Sequence, residues 1–281
     1  MDIAVLGMGK MGRALAGRLI DGGHRVRVWN RTKGRAGQLV SAGAEEAQSI
    51  AAAVDGVDVV VTMLADDAAV RAVALGELRP LMGSATVYVD CSTVSPALSG
   101  ALSEGFADRF VAMPVLGSPA AVSAGQAVLL VGGAADRIDR LGPMIDSLSE
   151  TVRRYDTAPL ALTAKLTNNM LLLSGVVALA EAFAVGRSGG LRDDQLRDLL
   201  ATSVAPGLRN RFDSVLAGSP EGWWTVVLGA KDAGLAIETA RAAGVELPSA
   251  EVVRQLYEAV ATGHADADIA FVTDLYGRTT P

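Results

Sequence analysis

The chain opens Met1-Asp2-Ile3-Ala4-Val5-Leu6-Gly7-Met8-Gly9-Lys10-Met11-Gly12, a short apolar run that passes straight into Gly-x-Gly-x-x-Gly. The next residues, Arg13-Ala14-Leu15-Ala16-Gly17-Arg18-Leu19-Ile20, favour helix. Glycines so placed between a strand and a helix form a loop that wraps a dinucleotide pyrophosphate. Gly7 permits the tight turn, Gly9 lets the backbone approach the phosphates, and Gly12 lets the helix pack on the strand. The helix N-terminus then aims its amides at the anion. Gly7, Met8, Gly9, Lys10, Met11 and Gly12 are therefore expected to line the cofactor.

A second strand, His24-Arg25-Val26-Arg27-Val28-Trp29, ends in Asn30-Arg31-Thr32. An NAD-binding chain places Asp or Glu here, against the ribose hydroxyls. Such a carboxylate would repel a 2′-phosphate, whereas the Arg31 guanidinium can bind one through paired hydrogen bonds. Asn30, Thr32, Lys33 and Arg35 add donors beside it. The expected cofactor is NADPH.

The composition narrows the remaining classes. A chain of 281 residues suggests about two domains. Half of its residues are hydrophobic and a fifth charged, enough to bury a large core. The net charge of −6 argues against nucleic acid as a partner. Cys91 is the single cysteine, so no internal disulfide forms, which suits a reducing compartment. No charged leader precedes an apolar segment, and the run Met170 to Ala180 is too short to span a bilayer. A cytoplasmic protein without membrane partners is expected. The two histidines and the lone cysteine lack metal-ligand spacing, so no metal site is expected. None of the four tyrosines has lysine four residues on, which removes the Tyr-x-x-x-Lys pair of short-chain dehydrogenases. Lysine is left as the leading acid or base.

Val-rich strands at Ile3–Leu6, Arg25–Trp29, Val57–Met63, Thr86–Val89, Phe110–Ala112 and Val128–Val131 alternate with Ala-rich helices at Ala36–Ala42, Glu46–Ala53, Ala68–Leu75 and Pro96–Glu104. A further helix runs from Arg137 to Ser149, and strand signals fade after Thr151–Tyr155. Alternation of this kind predicts a doubly wound parallel sheet of the Rossmann type. From Ala161 to Gly186 nearly every residue favours helix, apolar on almost all faces and so buried on both sides, partly against a partner chain. Helices at Asp193–Ala201, Leu208–Ala217, Trp224–Ala243, Ser249–Thr262 and Ala267–Tyr276 follow. The α/β class is thus expected to hold a cofactor domain at 1–158 and an all-helical substrate and dimerisation domain at 159–281, joined by the long helix.

Three further segments carry chemistry. Asp90-Cys91-Ser92-Thr93-Val94-Ser95-Pro96 follows a strand end, where open parallel sheets bind ligands. Ser92 and Thr93 present adjacent hydroxyls there, and Ser95 with Pro96 behind it reads as a helix cap. Lys165 and Asn169 lie four apart on the long helix and share a face. On an apolar helix they need a cleft or partners, and a partly desolvated lysine exchanges protons near neutral pH. Lys231 and Asp232 stand near the start of a late helix, where Asp232 could accept backbone amides and Lys231 could close over the nicotinamide.

Together these motifs, over essentially the whole chain, resemble the β-hydroxyacid dehydrogenase family, which includes 3-hydroxyisobutyrate dehydrogenase and glyoxylate/succinic semialdehyde reductases. The resemblance implies that Lys165 is the general acid, that Asn169 helps hold it and the substrate, that Thr93 touches the cofactor and that Lys231 lies over the nicotinamide. The turn Met63-Leu64-Ala65-Asp66 resembles the family's cofactor-contacting turn. Homodimers or homotetramers are implied as well. One departure stands out. The family follows Pro-Val with a serine that grips the substrate carboxylate, and this chain has Pro114-Val115-Leu116-Gly117-Ser118-Pro119. Gly117 and Ser118 are the remaining donors there.

The activity implied is NADPH-dependent interconversion of a small aldehyde or ketone, such as a semialdehyde acid, with its hydroxy acid. An imine or neutral-carbonyl reductase is the alternative that Leu116 favours, although such relatives usually carry Asp or Tyr at the lysine position. A non-catalytic NADPH sensor is the alternative of another class.

Overall fold

The computed structural model describes residues 1–277 except 189, 203 and 205. The chain divides into two compact units, Met1–Lys165 and a second from Leu166 onward.

The first unit holds one mixed sheet. Its strands are β1 (Asp2–Leu6), β2 (Arg25–Trp29), β3 (Glu45–Glu46), β4 (Val59–Thr62), β5 (Val87–Asp90), β6 (Phe110–Ala112), β7 (Val115–Leu116), β8 (Val128–Gly133) and β9 (Thr151–Tyr155). They lie in the order β3-β2-β1-β4-β5-β6-β8-β7, with β9 on β8. The run from β3 to β6 is parallel throughout. This is the doubly wound order whose direction reverses beside β1, so a crevice opens past the carboxyl ends of β1 and β4. Parallel strands buried on both faces need unbroken apolar runs. Val59-Val60-Val61 supplies one, Val59 and Val61 facing one core cluster and Val60 the other.

Helices α1 (Lys10–Asp21), α2 (Gly37–Ser41), α3 (Ile50–Val54), α4 (Asp67–Arg71), α5 (Pro96–Phe106), α6 (Pro119–Ser123), α7 (Ala135–Arg140) and α8 (Gly142–Leu148) connect the strands. Several expectations need correcting. The sheet is not parallel to its edge, because β6 and β7 both run antiparallel to β8. Only β7 and the five-residue α6 lie between β6 and β8, and neither is a crossover helix. The helix expected over 46–53 begins only at Ile50, where Ser49 accepts the Ala52 amide at 3.1 Å, and Glu45–Glu46 pairs as β3. The helix expected from Arg137 to Ser149 breaks into α7 and α8 ahead of Pro143, which has no amide hydrogen to continue it. Past α4 the helix widens into a π-helical stretch, Ala72–Leu78.

Helix α9 (Ala158–Ser188) begins in the first unit and continues through the second. Leu162, Leu166, Asn169, Leu173, Val176, Ala180 and Phe183 are buried along it at alternating spacings of four and three, one stripe down a helix. The full helix is longer than the apolar run read from sequence, and by length and composition alone it would suit a membrane span. Its buried stripe packs into protein cores. The second unit continues with α10 (Asp193–Ala201), α11 (Pro206–Arg209), α12 (Phe212–Ala217), α13 (Val226–Ala242) and α14 (Pro248–His264), then a 3-10 segment, Ile269–Tyr276. The single helix expected over 208–217 is thus two short ones.

Candidate active site

The glycine loop leaves β1 in the geometry its residues demand. Gly7 has φ +107°, and a Cβ there would lie 2.4 Å from the Met63 carbonyl oxygen. A Cβ on Gly12 would sit 1.8 Å from the Gly7 carbonyl oxygen, so no side chain fits where α1 meets β1. Around Gly9, by contrast, the space is open. A loop packed tightly behind and open at its middle glycine, exposed next to Lys10, fits a pyrophosphate against its backbone. Met8 points its side chain into the core and takes part through its backbone, and Met11 packs half-buried beside the same cluster.

Asn30 is a strut. Its Oδ1 accepts the Met8 amide at 2.9 Å and its Nδ2 donates to the Thr32 carbonyl at 2.8 Å, tying the glycine loop to the turn after β2. Arg31, Thr32, Lys33 and Arg35 are exposed. A cavity of about 300 Å³ is lined by Trp29, Asn30, Arg31, Lys33, Glu46, Ala47 and Gln48. Glu46 accepts the Gly34 amide at 3.2 Å and Gln48 accepts from Lys33 at 3.1 Å, so the turn is braced against β3 and the residues just after it.

At the ends of β4 and β5 the chain buries a carboxylate. Thr62 Oγ1 and Ser92 Oγ each donate to Asp90 Oδ1 at 2.7 Å, and the Ser92 amide adds a third bond at 3.2 Å. Since Thr62 gives its only proton to Asp90, Tyr88 donates to Thr62 at 2.8 Å. Ser92 Oγ in turn accepts the Leu64 amide at 2.9 Å. Burial pushes the Asp90 carboxyl up to about 6, against the bonds from Thr62 and Ser92, which lower it. Burial likewise raises the Tyr88 hydroxyl and the Cys91 thiol. Ser92 was expected to offer its hydroxyl to a ligand. The structure gives it another task, because the side chain is buried and its one proton is committed to Asp90. Thr93, half-buried, follows it, and Ser95 caps α5 through the Leu98 amide at 3.0 Å, with Asp67 accepting the Ser95 amide at 2.9 Å.

Lys165 is half-buried, and its Nζ donates to the Val115 carbonyl at 2.7 Å. Val115 begins β7, so the ammonium is pinned beside Leu116, Gly117 and Ser118. Leu116 packs half-buried against the core. Gly117 has φ +142°, a conformation that side chains avoid. Ser118 Oγ accepts the Ala121 amide at 3.1 Å and caps α6.

In the second unit, Asn169 is buried and donates to Asp232 Oδ2 at 2.7 Å. Lys231 Nζ approaches Asp232 Oδ1 to 3.0 Å, an ion-pair contact without hydrogen-bond alignment. Asp232 lies in the second turn of α13 and takes the Asn169 amide rather than backbone amides near the helix start. Sequence reasoning missed this pairing, although a signal existed. Asn169 interrupts the buried stripe of α9, and a buried amide requires a partner. It also missed Thr62 and the Val115 carbonyl, which carry no motif.

Residues 2–156 match the profile of the NAD-binding domain of 6-phosphogluconate dehydrogenase. Residues 161–276 match the NAD-binding profile of NADP-dependent 3-hydroxyisobutyrate dehydrogenase. The chain belongs to the β-hydroxyacid dehydrogenase family. It is 31% identical to 3-hydroxyisobutyrate dehydrogenase of Pseudomonas aeruginosa, over 95% of this chain and 93% of that one. It is 30% identical to the NAD-dependent L-serine dehydrogenase of the same organism, over 99% and 98%. Among solved structures, Mycobacterium tuberculosis 3-hydroxyisobutyrate dehydrogenase with L-serine superposes with a TM-score of 0.85 at 25% identity, covering 99% of each chain. An imine reductase of Streptomyces aurantiacus shares the fold at a TM-score of 0.69 and 22% identity, over 99% of this chain and 100% of that one. Members of this family are oxidoreductases that bind NAD(P) and act on CH–OH groups.

Proposed function

We propose that the chain is an NADPH-dependent reductase of a small aldehyde or ketone, with a semialdehyde acid as the favoured substrate class and Lys165 as the general acid. The observation that carries this reading is the Lys165 ammonium, held 2.7 Å from the Val115 carbonyl at the start of the Leu116-Gly117-Ser118 turn. That bond orients Nζ, and the ammonium carries the proton that the reduction calls for. When bound, NADPH would supply the hydride for the carbonyl carbon. As negative charge develops on the carbonyl oxygen, Lys165 donates a proton to it; in the oxidative direction the neutral amine takes the proton back. The Gly117 and Ser118 turn orients the far end of the substrate and Thr93 contacts the nicotinamide, while the family resemblance assigns Asn169 to the substrate and Lys231 to the nicotinamide. Arg31 and Lys33 meet the 2′-phosphate at the cavity beside Asn30.

Positioned acid catalysis typically contributes about 10²–10⁴-fold. Lys165→Ala should lower kcat by that order while the protein still binds NADPH, as read by fluorescence titration. Native-like turnover from this variant overturns the assignment.

Leu116 supports a second reading, reduction of a neutral carbonyl or imine, because it puts a methyl-bearing side chain where the family has a carboxylate-gripping serine. A panel of succinic semialdehyde, glyoxylate, neutral aldehydes and a cyclic imine separates the two. Activity confined to the acids supports the first, and activity confined to the neutral compounds supports the second.

A further inference from the structure

We infer that Asp90 is a positioning residue for the dinucleotide, gripping the turn after β4 through Ser92 so that its negative charge sets how firmly that turn is held. Asp90 touches no ligand in this scheme. It acts through the relay from its carboxylate to Ser92 Oγ at 2.7 Å, and from Ser92 Oγ to the Leu64 amide at 2.9 Å. Thr62, the last residue of β4, is anchored to the same oxygen, so one buried carboxylate ties the carboxyl ends of β4 and β5 together. The carboxyl end of β4 also borders the crevice beside β1, where an open parallel sheet of this order receives its ligand.

The arrangement would be wasteful if it served packing alone. Asp90 is 1% exposed, its Oδ2 has no hydrogen-bond partner, and no cation neutralises it among the groups that act on it. Those groups are Thr62 on β4, Ser92 on its own loop, and the Asp67 carboxylate from α4, whose charge opposes it. Tyr88 on β5 and Cys91 just after it are neutral groups nearby. An apolar residue with Thr62 and Ser92 turned elsewhere would pack at less cost. What the charge adds is acceptor strength. A hydroxyl that donates to an anion is polarised and accepts more strongly at its own oxygen, so the Leu64 amide is held harder while Asp90 is ionised. With the carboxyl pushed up to about 6 by burial, this charge is lost as pH falls through the mildly acidic range.

The inference rests on the reading that the Met63-Leu64 turn borders the cofactor. Its test is the pH dependence of NADP⁺ binding, measured by calorimetry from pH 5 to pH 8 on the native protein, Asp90→Asn and Ser92→Ala. The 2′-phosphate titrates near pH 6 itself, so the readout is the difference between native and variant. From pH 8 to pH 5 native affinity should fall by about three- to tenfold more than that of Asp90→Asn, the margin between a charged and a neutral acceptor. Ser92→Ala, which cuts the relay, should bind weakly at every pH and show the same flattened curve, and it serves alone if Asp90→Asn does not fold. Parallel curves for native and variants, even with lowered melting temperatures, overturn the inference and leave the cofactor reading intact. A native protein that binds no NADP⁺ at any pH overturns both.

Discussion

Asp90 illustrates how a single buried group trades stability for position. Its carboxyl titrates at about 6 in the folded chain against 3.8 for the unperturbed group. Because the folded pKa is raised, this residue's stabilising share is complete below about pH 4 and is lost as pH rises through 6. The difference of about two pKa units corresponds to roughly 3 kcal/mol. Asp90→Asn carries no charge to desolvate, so its melting temperature relative to native should be higher at pH 8 than at pH 5; an equal offset at both would mean that the site is not charged when folded. Arg31 makes a different residue-scale contribution, exposed and beside Lys33 at the mouth of a cavity. A charge-assisted bond is worth about 1.5–3 kcal/mol, so Arg31→Ala should raise the KM for NADPH by roughly 10- to 100-fold and leave that for NADH unchanged. Equal effects on both cofactors would remove the 2′-phosphate role.

The elements show how short-range rules and packing divide the work. The junction of β1 and α1 is close enough that even a methyl group fails. Gly12→Ala would put its Cβ 1.8 Å from the Gly7 carbonyl oxygen. Backbone cannot yield as a flexible side chain can, so a loss of roughly 3 kcal/mol in denaturant unfolding is expected. The same change opens the pyrophosphate loop. Gly9→Ala meets open space and should leave stability close to native while weakening the cofactor. The strands of the sheet were legible because Val-rich runs between Ala-rich segments have no other way to bury themselves. The two-residue β3 and β7 were not, since so short a segment carries no periodicity and pairs only because its neighbour is there. Helix ends moved wherever a cap or a proline decided them, at Ser49 and before Pro143.

For the molecule as a whole, the long helix carries the expectation of self-association. Its stripe from Leu162 to Phe183 is buried, while Leu171 and Val185 remain 69% and 73% exposed. They lie two heptads apart and so on one face of α9. Self-association through this face would cover them. The native chain should sediment at a multiple of 28.9 kDa, and Leu171→Glu should shift it toward the single chain. A native monomer would refute the homo-oligomer expectation.

What the sequence determined by itself is what local chemistry dictates: the glycine loop, the Arg31 turn, the Ser95 cap, the Lys165–Asn169 spacing and the α/β order of the first half. Each follows from backbone sterics, hydrogen-bonding valence or periodicity within a few residues. Only the tertiary structure decided the partners that lie far apart in the chain. Thr62 and Ser92 meet at Asp90, Lys165 finds the Val115 carbonyl, and Asn169 finds Asp232. A buried polar group announces that it needs a partner, but which one it receives depends on the register of strands and helices that no local pattern encodes. That is why Ser92 read as a ligand-binding hydroxyl and stands instead as part of the support behind the crevice.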